Sequence, residues 1–270
     1  MDKIIAAIIL FILSANSYTV VHTEDGTKRT DNEQIVSKNG QVEIQLENLS
    51  PVRVGTQPTS SSAWWSYPSD IKVVTRDGDD LLVLVNKEYK LPDTYVPSNL
   101  VNICNTVRDL RCVSHTDHLL RDIVIDDLQA LVNDAMNNGI DLSVRSAYRS
   151  YSTQADTYNY WLSVYGGDIA ATDKVSARAG HSQHQLGTTI DFSSAEIDDG
   201  LGERFATTQA SKWLEQNAIN YGFALSYPKG YESITGYSYE SWHYRYIGRE
   251  NALEMVNSGM ILELYLKSKN

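Results

Sequence analysis

Ser182-Gln183-His184-Gln185-Leu186-Gly187-Thr188-Thr189-Ile190-Asp191 is the stretch on which the reading of this chain turns. It sets an imidazole and a carboxylate seven residues apart, with a glycine between them. The segment Gly187 to Phe192 reads as a short strand. Further on comes Glu240-Ser241-Trp242-His243. Together the two stretches supply two His, one Asp and a further Glu. A catalytic zinc site needs three protein ligands, an open position for water and a base for the water's proton. The rest of the chain is read as the scaffold for these two segments.

Around them the pattern is helical first, then short strands with long connections. A helical run spans about 117–138 with Leu120, Ile123, Val124, Leu128, Leu131, Val132, Ala135 and Met136 on one broad face, and Gly139 as its C-cap; Asp126 is an alternative N-cap that would split it. Ile140 to Val144 reads as a strand that delivers Ser146-Ala147-Tyr148-Arg149-Ser150. Ser150 or Ser152 can cap a helix through Tyr165, ended by Gly166-Gly167. A short helix near 168–175, a helix over 206–221, a strand at Phe223 to Tyr227, a strand-like segment over 238–247 and a last helix over 250–267 complete the reading. Upstream, Val42 to Leu46, Ile71 to Thr75 and the apolar run Leu81 to Val85 read as strands. Regular strand–helix alternation is missing, so the expected class is α+β: helices packed on a small antiparallel sheet that carries a single metal site.

The N-terminus reads as a secretory leader. Lys3 precedes an apolar run from Ile4 to Leu13, followed by Ser14, Ala15, Asn16 and Ser17, with cleavage expected after Ser17. The run is short for a membrane span, and an uncleaved anchor is the alternative. The chain is therefore expected to be exported and extracellular, periplasmic or envelope-associated. The expected organisation is a signal peptide over 1–17, a linker over 18–41, a small β-rich extension over 42–80 and a catalytic domain over 81–270. A net charge of -11, with no Lys/Arg cluster, argues against a nucleic-acid partner. Cys104 and Cys112 are the two cysteines. In an exported chain they most simply form one disulfide; free thiols, or a structural zinc site with His115 and His118, are the alternatives. Trp64, Trp65 and Tyr67 form either an exposed sugar- or wall-binding patch or ordinary packing.

Two points at the candidate site stay open on the residues alone. His181 rivals His184 as a ligand. Glu240 and His243 have opposite parity, so an ideal strand would send them to opposite faces unless it bulges or ends between them.

Ser182-x-His184-x2-Gly187-x-Thr189-x-Asp191 with Glu240-x-Trp242-His243 resembles the zinc motif of the metallo D-alanyl-D-alanine carboxypeptidases. These are the vancomycin-resistance type, in the superfamily that includes lysostaphin and the hedgehog signalling domain. Ser146-Ala147-Tyr148-Arg149-Ser150 with Gln154 resembles the family's arginine segment, and Val85-Asn86-Lys87 with Leu91-Pro92 resembles the start of its domain. The resemblance covers about Leu81 to Gly248. It departs at Thr189 (usually Ala), Ala179 (usually Pro) and Gln183 (commonly Glu), none of them a ligand position. It implies one zinc ion held by His184, Asp191 and His243, Glu240 as general base, and Arg149 as oxyanion or carboxylate partner. Ser182, Gln154 and Tyr148 would be substrate contacts. The implied substrate is a peptidoglycan stem peptide ending in D-Ala-D-Ala, and the protein is expected to act as a monomer without a stable membrane span. A stem or cross-bridge endopeptidase and a zinc-containing wall-binding module without activity are the competing readings; the retained Glu240 speaks against the second.

Overall fold

A computed structural model describes residues 66–113 and 117–270, with the strand segments 19–20, 34–38 and 41–45. The leader, His22, Trp64, Trp65 and His115 lie outside the described residues. The chain divides into two units, Met1–Gln57 and Pro58–Asn270. In the first, β1 (Thr19–Val20), β2 (Gln34–Lys38) and β3 (Gln41–Gln45) form an antiparallel sheet with β3 in the middle. Two of these strands fall within the stretch expected as linker.

The second unit begins with β4 (Lys72–Val73), which pairs in parallel with β5 (Tyr89–Lys90). Residues 72–73, read as the end of a separate extension, are thus hydrogen-bonded to the catalytic unit. β6 (Leu100–Asn102) leads into α1 (Ile103–Thr106), then β7 (Arg111–Cys112) and β8 (Leu119–Arg121). Cys104 and Cys112 are joined by a disulfide across this segment. There follow α2 (Ile125–Asn137), β9 (Ser143–Ser146), α3 (Tyr151–Val164), α4 (Ile169–Thr172), β10 (Thr189–Ser193) and α5 (Gln209–Asn217). The chain ends with β11 (Phe223–Leu225), α6 (Glu232–Thr235), β12 (His243–Tyr246), α7 (Arg249–Asn257) and α8 (Leu262–Lys269).

The central sheet has the order β11-β12-β10-β9-β7. Its inner pairings are antiparallel, but the edge strand β7 runs parallel to β9, so the sheet is mixed rather than purely antiparallel. Phe192 from β10, Val144 from β9, Phe223 from β11 and Tyr244 from β12 join Leu128, Leu131 and Val132 of α2 and Leu214 of α5 in one buried cluster. That burial, not local propensity, holds such short strands together; each buried Leu or Phe contributes about 1.5–3 kcal/mol. A second cluster binds Leu84 to Ala252, Leu262 and Leu266 of the C-terminal helices.

Three expectations change. The expected 117–138 helix opens instead with β8 and a 3₁₀ turn, because Leu119, Leu120 and Arg121 pair with β6. The run Leu81 to Val85 is half-buried at Leu81 and Leu82 and buried from Val83 on, but it is not a strand. The Leu81 and Val83 carbonyls accept instead from the buried Arg245 guanidinium, at 2.9 and 2.7 Å, and Asp80 Oδ1 accepts from the Leu82 amide. The last helix is two, with Gly259 in the left-handed region between them.

Candidate active site

β10 and β12 build the floor of the site. In their antiparallel register Asp191 stands directly opposite His243, so both side chains rise from one face of the sheet. His184 comes from a 3₁₀ turn, Gln183–Leu186, just before β10. Ser182 caps that turn, its Oγ accepting from the His184 amide. The turn ends at Gly187, with φ +67°, where a Cβ would stand 3.0 Å from Leu100 and Pro97 side-chain atoms. Only glycine meets both demands. The parity problem is solved by the strand's ending: β12 starts at His243, and Glu240 lies in the turn before it, closed by the His243 amide donating to the Glu240 carbonyl. Glu240 Oε2 thereby comes 3.5 Å from His243 Nδ1.

His184, Asp191 and His243 are all buried, and their ligand atoms lie within 4.8 Å of one another. Each imidazole is turned by a partner on its far nitrogen. His184 Nδ1 donates to the Ala147 carbonyl at 2.6 Å, which leaves Nε2 as an acceptor 3.2 Å from Asp191 Oδ2. His243 Nε2 donates to Gln183 Oε1 at 3.2 Å, which leaves Nδ1 as an acceptor 3.0 Å from Asp191 Oδ1. Asp191 Oδ1 has no hydrogen-bond donor. Lone pairs facing one another at such distances repel unless a cation lies between them. Donor atoms about 2.0–2.1 Å from a tetrahedral zinc stand about 3.3 Å apart, so the group fits that ion.

The electrostatics agree. Burial pushes the His184 imidazole down to about 4, leaving it neutral and able to ligate. Glu240 is pushed well above its ordinary value, first by burial and then by the Asp191 charge. Burial and the neighbouring anion thus raise its affinity for a proton, as a group that takes up a proton in the reaction requires. Its side chain is 15% exposed and faces a cleft of about 420 Å³.

Arg149 lines that cleft as well, its guanidinium donating to Gln154 Oε1 at 2.7 Å and Ser146 Oγ at 3.0 Å. Gln154 is tied in turn to the Ala177 carbonyl, so the arginine is held rather than free to swing. Ser182 and Gln154 line the cleft. Tyr148 does not: it lies just past β9, one residue before Arg149, and consecutive residues of an extended segment point to opposite sides. His181, the rival ligand, donates from Nδ1 to the Asn86 carbonyl at 2.7 Å and packs edge-on to Tyr67. His118 Nε2 bonds the Val113 carbonyl. Sequence reasoning missed four contributors: Ala147 and Gln183 as imidazole orienters, Ser226, whose Oγ donates to the same Gln183 oxygen at 2.7 Å, and Tyr227, stacked 4.8 Å from His243. Only Gln183 carried a signal, its place beside His184.

Inward-turned lone pairs on a buried His–Asp–His group, with a carboxyl beside them and a fixed cation in the same cleft, define a single-metal hydrolase centre. Comparison with known proteins makes the class particular. The profile described as VanY: D-alanyl-D-alanine carboxypeptidase matches residues 117–249. The putative carboxypeptidase YodJ of Bacillus subtilis is 35% identical over 221 residues, 78% of each chain. Among solved structures, the LdcB LD-carboxypeptidase superposes with a TM-score of 0.65 at 32% identity, over 77% of this chain and 97% of that one. The vancomycin-resistance D,D-pentapeptidase VanY in complex with Zn(II) does so with a TM-score of 0.56 at 29% identity, over 68% and 98%. The chain belongs to the VanY family of D-alanyl-D-alanine carboxypeptidases, which are zinc metallopeptidases.

Proposed function

We propose that the protein is an exported zinc D-alanyl-D-alanine carboxypeptidase that removes the terminal D-Ala from peptidoglycan stem peptides. His184, Asp191 and His243 are the zinc ligands, Glu240 the general base, and Arg149 the partner of the substrate's terminal carboxylate or developing oxyanion. The observation that carries this reading is the convergence of three acceptor atoms with Glu240 Oε2 3.5 Å from His243 Nδ1, at the base of an open cleft. Zinc bound there supplies Lewis-acid activation of water and of the scissile carbonyl. Glu240 takes a proton from the attacking water and returns it to the leaving amine; its raised proton affinity suits both transfers. Arg149, pre-set by Gln154 and Ser146, offers a planar cationic fork that a carboxylate can meet without reorganising it. Ser182 and Gln154, both on the cleft wall, are substrate contacts.

Export rests on the leader over 1–17; the catalytic domain is assigned to 81–270, together with the upstream strand β4 that pairs with it, and acts as a monomer. Among the described residues, no helix is long and apolar enough to cross a membrane. One observation favours a second specificity: the LD-carboxypeptidase LdcB aligns over more of this chain than VanY does. On that reading the bond cut lies one residue earlier, in a stem tetrapeptide. Mass spectrometry of products from stem penta- and tetrapeptides decides between them. The D,D reading requires loss of one D-Ala from the pentapeptide, with the tetrapeptide left intact. Loss of a single D-Ala from the tetrapeptide overturns it in favour of the L,D reading.

A further inference from the structure

Helix α3 is unusual for what it leaves outside. Among its described residues, Gln154 is the buried one. Its last two turns and cap nonetheless carry Tyr160, Trp161, Val164 and Tyr165, exposed by 63, 37, 53 and 39%. Large apolar side chains gathered on a surface, and not needed for packing, mark a place where something else binds. Two of them face the catalytic cleft. Gln154, Thr157, Trp161 and Tyr165 all line it, at spacings of three, four and four that set them along one face of the helix. The wall therefore begins at Gln154, hydrogen-bonded to Arg149, and ends at an aromatic pair whose ring centroids are 6.3 Å apart and tilted by 34°.

Distance says what the pair would meet. Eleven residues of helix from Gln154 to Tyr165 span roughly 16 Å. Five residues of extended peptide span roughly 16 Å as well. A stem pentapeptide whose terminal carboxylate is at Arg149 would bring its amino end to Trp161 and Tyr165. In peptidoglycan that end is amide-linked to the lactyl group of N-acetylmuramic acid. A pyranose presents a face of C–H groups that stacks on an aromatic ring, with polar edges that an indole N–H or a phenol can meet.

We propose that Trp161 and Tyr165 form a subsite for the N-acetylmuramoyl sugar, so that the enzyme prefers stem peptides still attached to their sugar over free peptides. This rests on the stem-peptide reading of the cleft, and the pair acts as a specificity determinant, not as part of the chemistry.

The test is equilibrium binding to the zinc-loaded Glu240→Gln variant, which holds substrate without turnover, followed by kcat/KM measurements on otherwise wild-type protein. N-acetylmuramoyl-pentapeptide is compared with the free pentapeptide, in the Trp161 and Tyr165 parents and in Trp161→Ala and Tyr165→Ala. The expected result is tighter binding of the muramoyl peptide, lost by roughly five- to tenfold in each alanine variant, with the free peptide changed by less than about twofold. Equal binding of the two ligands to the parent, or equal loss of both in the variants, overturns the subsite. Trp161-dependent binding of the muramoyl peptide without D-Ala release by the wild type would leave the subsite standing and defeat the proposed activity instead.

Discussion

His243 shows how narrowly the chemistry depends on one hydrogen bond. Its ring can offer Nδ1 to a metal only if Nε2 keeps the proton, and Gln183 Oε1, 3.2 Å away, is the acceptor that fixes this. Ser226 holds that amide in turn. Partners of this kind contribute to metal affinity although they never touch the ion. Gln183→Leu is therefore expected to weaken zinc binding by roughly 10–100-fold, measured by competition with a chromophoric chelator. Unchanged affinity would mean that His243 keeps its tautomer without help. Arg149 poses a different question. Lysine keeps the charge but cannot reproduce a fork that donates to Gln154 and Ser146 while facing substrate. Arg149→Lys should lower kcat/KM for a D-Ala-D-Ala peptide by at least about tenfold, with zinc content unchanged.

Gly187 links turn to strand. With φ +67°, and with Leu100, Pro97 and Arg121 side chains closing the space where a Cβ would go, it lets the turn bearing His184 pass directly into β10 bearing Asp191. Gly187→Ala should cost roughly 1–3 kcal/mol and lower the melting temperature by several degrees, and weaken zinc binding as well, because both ligands hang on that joint. A scan of the variant's thermal unfolding with and without zinc checks both. At this scale the sequence was informative wherever the signal was local. Ser150 caps α3 as its residue type suggests, its Oγ accepting from the Thr153 amide, and Gly166 and Gly167 stand past the helix end. Asp191, His184, His243 and Glu240 could be picked out because each lies in a short stretch with a distinctive mixture of residues. What could not be read was tertiary. Nothing near Leu81 announces that Arg245 will take its carbonyl and keep the apolar run out of a sheet. Likewise, nothing in the order Tyr148-Arg149 tells which of the two faces the cleft.

The whole molecule adds a pH dependence set away from the metal. His181 is buried, donates to the Asn86 carbonyl, and is pushed down by that burial from 6.5 to about 4. The unfolded chain therefore binds a proton that the folded one refuses between those values. His181 contributes stability in full above pH 6.5, and this is lost as the pH falls through about 4. The depression corresponds to roughly 3 kcal/mol as an upper figure. His181→Gln should lose less stability than the parent between pH 7 and 4 in urea titrations; equal slopes would remove His181 from the account. Across the molecule, the central claim is that a His–Asp–His zinc centre hydrolyses a D-Ala-terminated peptide with Glu240 as base. The most direct measurement is D-Ala release from a stem pentapeptide by the zinc-loaded protein and by Glu240→Ala, with zinc content determined on the same samples. The account predicts release by the parent that chelation abolishes. It predicts that Glu240→Ala retains one zinc per chain but is slower by at least about 100-fold. Parent-like release by zinc-loaded Glu240→Ala, or parent activity that survives complete zinc removal, would contradict it.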